Sequence, residues 1–127
     1  MKHRGYQGLE AWQQGMELAA EGYRVAARLP DKERFGLCDQ IRRSAASIPA
    51  NIAEGQSRER PREFARFLLI ARGSVAELET HGLLCVRTGY FMDQEIEPLM
   101  ALAGTTARLI SGLLRHTRLV AGGGQRN

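Results

Sequence analysis

Apolar residues recur at steps of three and four along most of the chain, the spacing that places side chains on one face of an α-helix. The pattern predicts four helices, near residues 9–29, 32–55, 60–88 and 94–119. No run alternates apolar and polar residues between turn signals, so no strand is predicted. Four long helices with short connections predict an all-α fold, an up-down-up-down antiparallel four-helix bundle.

Helix starts and stops can be assigned from capping residues. Pro30 ends the first helix, and Asp31 is the predicted N-cap of the second, because a carboxylate accepts hydrogen bonds from the free amides of the next turn. Pro61 is tolerated in the first turn of the third helix, where its missing amide would have no intrahelical partner. Gly89 ends that helix, and Asp93 is the predicted cap of the fourth.

The apolar stripes of the four helices predict the core. We expect it to include eight large residues: Trp12, Met16, Ile41, Ile48, Phe64, Leu68, Leu78 and Ile110. The small residues 44–47 allow another helix to approach closely, and we expect that neighbour to be the third helix around Gly73 and Ser74.

Some apolar residues fall outside these stripes. Leu69 and Ile70 on the third helix and Leu102 and Leu109 on the fourth exceed what one bundle core needs. Exposed apolar area of this kind usually marks an interface, so a homo-oligomer is predicted. Periodicity alone does not give the number of copies.

Length and composition are those of one small domain. A chain of 127 residues with 43% hydrophobic residues can bury one compact core. The bundle domain is predicted at residues 9–120, with a flexible arm at residues 1–8 and a disordered tail at residues 121–127.

Neither a membrane span nor a signal peptide is predicted, because no stretch reaches about 20 consecutive apolar residues and the N-terminal region is polar. Cys38 and Cys85 are single, widely separated cysteines. Disulfide frameworks and metal knuckles need paired spacing, so buried reduced thiols are expected. We therefore expect a cytoplasmic protein.

The charge of the chain is +4 and is carried mainly by arginine. No acidic residue follows Glu97, which leaves the C-terminal region purely basic. Six arginines near the second and third helices form the candidate nucleic-acid-binding set: Arg42, Arg43, Arg58, Arg60, Arg62 and Arg66. They could contact a phosphate backbone, or they could form a solvated face with ion pairs such as Glu63 with Arg66, each worth only a few tenths of a kcal/mol.

Catalytic and metal-binding patterns are lacking. His81 has Leu78 where a di-iron bundle would need a glutamate three residues earlier, and no second such pair exists. A serine or cysteine nucleophile would need a histidine base held by a third group, and no such motif is present. There is no glycine-rich phosphate loop. We expect neither an enzyme nor a cofactor.

A polar cluster interrupts the second helix. Pro49 costs about 3 kcal/mol in an ordinary helix interior, and Ser47, Asn51 and Glu54 lie close to it. Asn51 and Glu54 could make a specific polar contact at a kink. Alternatively, they satisfy backbone groups freed by Pro49 and pair with Arg58, one turn after Glu54.

The segment from Ser47 to Gly55, with the pattern Ser-Ile-x-x-Asn-Ile-x-Glu-Gly, resembles a bacterial four-helix-bundle family encoded in intervening sequences of large-subunit ribosomal RNA genes. Gln40-Ile41-Arg42-Arg43 before it and the residues from Glu63 to Thr80 after it extend the resemblance from about Leu9 to Tyr90. Through this family the chain is distantly similar to the accessory variability determinant of diversity-generating retroelements, a pentameric bundle that binds nucleic acid and a reverse transcriptase. The resemblance implies a cyclic homopentamer.

Three functional hypotheses remain at this point. The first is a non-enzymatic homo-oligomeric adaptor that binds RNA or DNA. The second is a structural oligomer that binds a protein partner, in which the positive charge serves solubility. The third is an enzyme that uses Glu54, Asn51 and neighbouring arginines, which would require a cleft joining them.

Overall fold

A computed structural model describes residues 5–125, with side chains as far as residue 122. The helices are α1 (Glu10–Ala27), α2 (Leu37–Ser57), α3 (Pro61–Arg87) and α4 (Glu97–Gln125), and 3₁₀ turns lie at Gly5–Gly8, Asp31–Glu33 and Asp93–Glu95. Residues 5–125 contain no strand. The predicted all-α class is therefore confirmed.

The helices form the predicted up-down-up-down bundle. Each helix packs on the next one in the chain, and α1 also packs on α4. Consecutive helices are therefore neighbours around the bundle, and α1 and α3 occupy opposite corners. This order matters below, because it brings the start of α1, the end of α2, the start of α3 and the end of α4 to one end of the molecule.

The predicted core is largely confirmed. Five of the eight predicted residues are fully buried: Ile41, Ile48, Leu68, Leu78 and Ile110. Trp12 and Phe64 are half-buried and pack against this core. The prediction for Met16 is wrong, because its side chain is 45% exposed.

Glycines explain the error at Met16. The buried face of α1 includes Gly15, Leu18 and Gly22. A Cβ on Gly15 would lie 3.4 Å from Cγ2 of Ile48, and one on Gly22 would lie 2.8 Å from Cβ of Ala45. Because α2 approaches α1 across these glycines, the buried face is rotated by one residue from the stripe of large apolar side chains that contains Met16.

The predicted start of α2 is wrong by about five residues. Asp31 begins a 3₁₀ turn and does not cap the helix; α2 begins at Leu37. Glu33 supplies the capping contact instead, since its Oε1 accepts a hydrogen bond from the Leu37 amide at 3.3 Å. Its Oε2 accepts one from the hydroxyl of Tyr90.

The α3–α4 connection shows the same kind of difference. Asp93 begins a 3₁₀ turn, and α4 begins at Glu97. Glu95, and not Asp93, accepts a hydrogen bond from the backbone amide of Met92 at 2.9 Å. Pro61 is the first residue of α3, as predicted.

The ends of the chain differ from the predicted arm and tail. Gly5–Gly8 form a 3₁₀ turn, and α4 extends to Gln125, beyond the predicted end at residue 119. Residues 1–4 of the predicted arm and residues 126–127 of the predicted tail lie outside the described residues.

The predicted contact between α2 and α3 is confirmed. The hydroxyls of Ser47 and Ser74 are 2.8 Å apart and share a hydrogen bond. Of the apolar residues outside the predicted stripes, Leu69 and Ile70 are 39% and 42% exposed. Leu102 and Leu109 pack against the core, so they do not belong to the exposed set.

Candidate nucleic-acid interface

Six arginines gather where α2 ends, α3 begins and α4 approaches its end; we call this region the basic end. It comprises Arg58, Arg60, Arg62, Arg66, Arg115 and Arg118. A surface groove of about 320 Å³ joins the helices here and is lined by residues that include Leu9, Pro61, Phe64, His116 and Val120. On α4 the groove is lined by Leu113, His116, Thr117 and Val120; Arg115 and Arg118 lie on the same turns but do not line it.

Arg115 and Arg118 were absent from the set predicted from the sequence. The available signal was the topology: in an up-down-up-down bundle the last turns of α4 lie beside the first turn of α3. The absence of acidic residues after Glu97 pointed to the same helix.

Arg58 and Arg66 are held by a shared set of contacts. Both guanidinium groups lie over the ring of Phe67, at 5.2 and 4.6 Å from its centroid. Arg58 donates to Glu54 at 2.9 Å and to Glu63 at 3.5 Å. Arg66 donates to Glu63 at 3.3 and 3.4 Å, which is the main reason that the pKa of the Glu63 carboxyl lies below its ordinary value.

These contacts fix Arg58 and Arg66 but also neutralise them in part. Cation–π stacking and ion pairing orient the two guanidinium groups around one nearly buried aromatic ring. Glu54 and Glu63 occupy donors that a phosphate would otherwise use. Arg58 and Arg66 are therefore preorganised, while the free positive charge of the basic end lies elsewhere.

Four arginines of the basic end carry that free charge. Arg60, Arg62, Arg115 and Arg118 are exposed, and within the described part of the chain none has a carboxylate oxygen within 4 Å. Such groups can form charge-assisted hydrogen bonds to a phosphate without first breaking an ion pair.

Arg42 and Arg43 lie away from the basic end. They precede Arg58 on α2 by about 24 Å, given a rise of about 1.5 Å per residue. Arg43 is paired with Asp39 at 3.0 Å, and Arg42 is half-buried. The structure thus brings together four of the six arginines predicted from the sequence and separates the other two.

The turn between α2 and α3 sets the positions of Arg58 and Arg60. Glu59, between them, has a φ of 59°, in the left-handed region that residues other than glycine and asparagine rarely adopt. Its amide donates to the Gln56 carbonyl at 3.2 Å. This reversal starts α3 at once and exposes both arginines on the outside of the turn.

The signature residues Ser47, Asn51 and Glu54 are used within the fold. The side-chain amide of Asn51 donates to the carbonyl of Ser47 at 2.8 Å and to its hydroxyl at 2.9 Å. Ser47 in turn bonds Ser74, and Glu54 pairs with Arg58, as in the second of the two alternatives given by the sequence. The polar groups near Pro49 thus tie α2 to itself and to its neighbour α3.

The two cysteine thiols lie near the end of the bundle opposite the basic end. The Cys85 thiol is buried, and this burial, aided by the Glu33 carboxylate, raises its pKa to about 11. Cys38 is also buried and donates to the Ala26 carbonyl at 3.5 Å. Among residues whose side chains are described, no three His, Cys, Asp or Glu groups gather as a metal site would require.

Among the helices that the structure describes, none combines the length and the apolar character needed to cross a bilayer.

Comparisons with known proteins identify a family and a similar fold. The family model of the 23S rRNA-intervening sequence protein matches residues 7–112. A crystal structure of a protein of unknown function from the S23 ribosomal protein family, from Bacteroides thetaiotaomicron, is similar, with a TM-score of 0.76 and 24% identity. The similarity covers 83% of this chain and 95% of that one. No curated protein matches the sequence.

Proposed function

The chain belongs to the 23S rRNA-intervening sequence protein family, and on this premise we propose that it is a non-enzymatic, homo-oligomeric adaptor that binds RNA or DNA backbone in the cytoplasm. The observation that carries the proposal is the set of unpaired arginines at the basic end, Arg60, Arg62, Arg115 and Arg118. The resemblance to pentameric bundles favours five copies.

The character of the basic end supports backbone contacts more than base recognition. Arginine suits phosphate because its planar fork of donors can bind two oxygens at once. Of the aromatic residues at this end, Phe67 is 9% exposed and already covered by two guanidinium groups, so its ring offers no free face for base stacking. Trp12 and Phe64 are half-buried and pack against the core. Binding should therefore be weak per subunit, sensitive to salt and independent of sequence.

Several copies would make such a weak contact effective. Linked binding sites raise the overall affinity without any new contact, provided that all sites can engage the same strand. This is why the proposal couples oligomerisation to nucleic-acid binding.

Salt-dependent binding tests the proposal. The variant Arg60→Ala/Arg62→Ala/Arg118→Ala removes three unpaired arginines from the basic end. If each contacts one phosphate, the slope of log affinity against log salt should decrease in magnitude by about 2 to 3 for each subunit that binds. Fluorescence anisotropy with a labelled RNA or DNA between about 50 and 200 mM salt measures this slope.

The matched control removes the same charge from the other end of the bundle. Lys32, Arg34 and Arg87 are exposed and lie away from the basic end. Replacing all three with Ala should leave most of the slope in place. If both triple variants lose the same slope, binding depends on net charge alone and the basic end is not the site.

A substitution at Glu59 should increase the affinity for nucleic acid. Asparagine tolerates the left-handed backbone at this position and removes a negative charge between Arg58 and Arg60. Glu59→Asn should therefore raise the affinity at about 50 mM salt, where screening is weakest.

One observation favours a second candidate, an oligomer whose partner is a protein. Phe35 is 89% exposed and Met92 is 63% exposed, both in connections at the end opposite the basic end. If the wild-type protein does not bind RNA or DNA at about 50 mM salt, nucleic-acid binding is refuted and this candidate replaces it.

A further inference from the structure

Two exposed apolar strips lie on opposite sides of the bundle. On α1, Met16 and Tyr23 are 45% and 47% exposed; on α3, Leu69 and Ile70 are 39% and 42% exposed, and Leu83 and Leu84 nearer the end of the helix are exposed as well. Because α1 and α3 occupy opposite corners, these strips point away from each other. One copy can therefore offer its α3 strip to the α1 strip of the next copy, and so on around a ring.

Ring closure fixes which residues would face each other. A closed ring repeats by rotation alone, with no translation along its axis. If the bundles stand parallel to that axis, a residue on α1 of one copy faces residues at the same height on α3 of its neighbour. The position of each residue along the bundle axis, here called its height, therefore predicts which residues of neighbouring subunits are in contact.

Two contacts within the subunit relate the heights of α1 and α3. Leu9 lines the same groove as Pro61 and Phe64. Farther along, a Cβ on Gly22 would lie 3.6 Å from Cδ1 of Leu78. Since both helices rise by about 1.5 Å per residue, Met16 and Glu17 stand level with residues 69–73, and Arg24 stands level with residues 77–80.

The side chains at these heights are complementary. Met16 would meet Leu69 and Ile70, two apolar residues. Glu17 would meet Arg72, and Arg24 would meet Glu77 or Glu79, so the charges are opposite at both levels. Within the described residues Glu17, Glu77 and Glu79 have no ion-pair partner, and Arg72 makes only a weak bond to Ser111 at 3.4 Å. Arg24 already pairs with Glu21 on its own helix at 2.8 Å, so Glu17 and Arg72 carry the charge argument.

The two flanks of the contact also match. Arg72 is tied to α4 through Ser111, and helical periodicity places Glu17 on the side of α1 that is nearer to α4. Ile70 lies one turn before Ser74, which bonds Ser47 of α2, so Ile70 is on the side of α3 nearer to α2. Met16 is likewise on the side of α1 nearer to α2. In a ring of parallel copies the flanks nearer to α4 adjoin each other, as do the flanks nearer to α2.

We infer that the α1 strip of each copy packs against the α3 strip of the next copy, in a closed ring of parallel bundles. This inference rests on the oligomer of the proposed function and specifies its interface. Because the bundles are parallel, all basic ends lie on the same face of the ring. That face presents Arg60, Arg62, Arg115 and Arg118 from every copy to one nucleic acid.

A mixing experiment tests the contact. Met16→Glu introduces charge into the α1 strip alone, and Leu69→Glu does so in the α3 strip alone. Each variant should be monomeric in light scattering at micromolar concentration. An equimolar mixture should contain a dimer, because the Met16→Glu copy keeps an intact α3 strip and the Leu69→Glu copy keeps an intact α1 strip.

A second pair of substitutions tests the charges without adding a charge to the apolar strips. Glu17→Arg and Arg72→Glu should each shift the protein toward the monomer, and the double variant should recover the wild-type mass. Phe35→Ser serves as the control, since it removes an exposed apolar residue that lies outside both strips. It should leave the mass unchanged, and circular dichroism should show wild-type helix content for every variant.

Other outcomes would overturn the inference. If Met16→Glu keeps the wild-type mass while Leu69→Glu dissociates, the contact pairs α3 with itself. A wild-type protein that is monomeric at micromolar concentration refutes the ring regardless of nucleic-acid binding. Conversely, a ring that assembles as described but does not bind RNA or DNA refutes the proposed function and leaves this interface standing.

Discussion

At the scale of single residues, small side chains set how closely the helices pack. The clearest case is Gly55 near the end of α2, where an added Cβ would lie 2.6 Å from Cβ of Phe67 and 3.4 Å from the backbone of Phe64. The backbone of α3 starts so close to α2 that only glycine fits. Gly55 also determines where Phe67 sits, and Phe67 supports Arg58 and Arg66.

Gly55→Ala should therefore destabilise the fold by about 1 to 3 kcal/mol through overpacking. Urea denaturation followed by circular dichroism measures the change. Gly112→Ala is the matched control on α4, because its Cβ would meet only the flexible end of Arg115 at 3.7 Å. That change should stabilise the helix by about 0.5 to 1 kcal/mol, and equal midpoints for both variants would contradict the close approach at Gly55.

The same residues show what the sequence could predict. Large apolar residues at helical spacing identified Ile41, Ile48 and Leu68 correctly, since burial of such side chains dominates the choice of a core face. Met16 was wrong because Gly15 and Gly22 carry no apolar signal, although they form the buried face of α1. Close approach through glycine depends on the partner helix and is not visible in the periodicity of one helix.

At the scale of the elements, one hydrogen bond joins two connections that are distant in sequence. The hydroxyl of Tyr90, after α3, donates to Glu33, before α2. This bond is the main reason that the pKa of the Glu33 carboxyl lies below its ordinary value of 4.5 and that the pKa of the Tyr90 hydroxyl lies above 10.0. Glu33 also caps α2 through the Leu37 amide.

These pKa shifts give stability a defined pH dependence. Because the pKa of Glu33 is lower in the folded state, its contribution is present above about pH 4.5 and is lost as the pH falls through the folded value. Because the pKa of Tyr90 is raised, its contribution is present below about pH 10 and is lost as the pH rises through the folded value.

Tyr90→Phe should lower the melting temperature at pH 7 and weaken its decrease between about pH 5 and pH 3, because Glu33 then loses its strongest partner. Thermal unfolding at several pH values measures both effects. Tyr6→Phe is the control, since the Tyr6 hydroxyl makes no hydrogen bond to described residues. If Tyr90→Phe and Tyr6→Phe melt alike at every pH, the bond between the connections does not stabilise the fold.

Helix boundaries were the feature of the fold that was hardest to predict from the sequence. Asp31 and Asp93 have the side chains of good N-caps, yet Glu33 and Glu95 accept the amide bonds near the starts of α2 and α4. The choice depends on the 3₁₀ turns and, for Glu33, on Tyr90, which lies 57 residues away. Local capping preference cannot include a partner at that distance.

At the scale of the whole molecule, the sequence predicted a basic surface but not which charges are free. Glu54 and Glu63 pair with Arg58 and Arg66, and Arg42 and Arg43 lie elsewhere on α2. Only the assembled bundle shows that the start of α3, with Arg60 and Arg62, lies beside the last turns of α4, which also carry Arg115 and Arg118. Ion pairing and topology together therefore change the candidate site: it is formed by residues from several helices at one end of the bundle and not by one stretch of sequence.

In the proposed ring, the residues that join the subunits differ from the arginines that would bind nucleic acid. A single substitution can test this separation. Met16→Glu lies on α1 and leaves every arginine of the basic end in place, yet Met16 belongs to the contact proposed between neighbouring copies in the ring. The variant should therefore bind nucleic acid with a smaller salt slope than the wild type, because one subunit neutralises fewer phosphates than a ring does. Anisotropy titrations of both proteins, at equal subunit concentration over the same salt range, measure the difference. An unchanged slope for a protein shown to be monomeric would mean that one subunit makes all the phosphate contacts and that the ring does not contribute to binding.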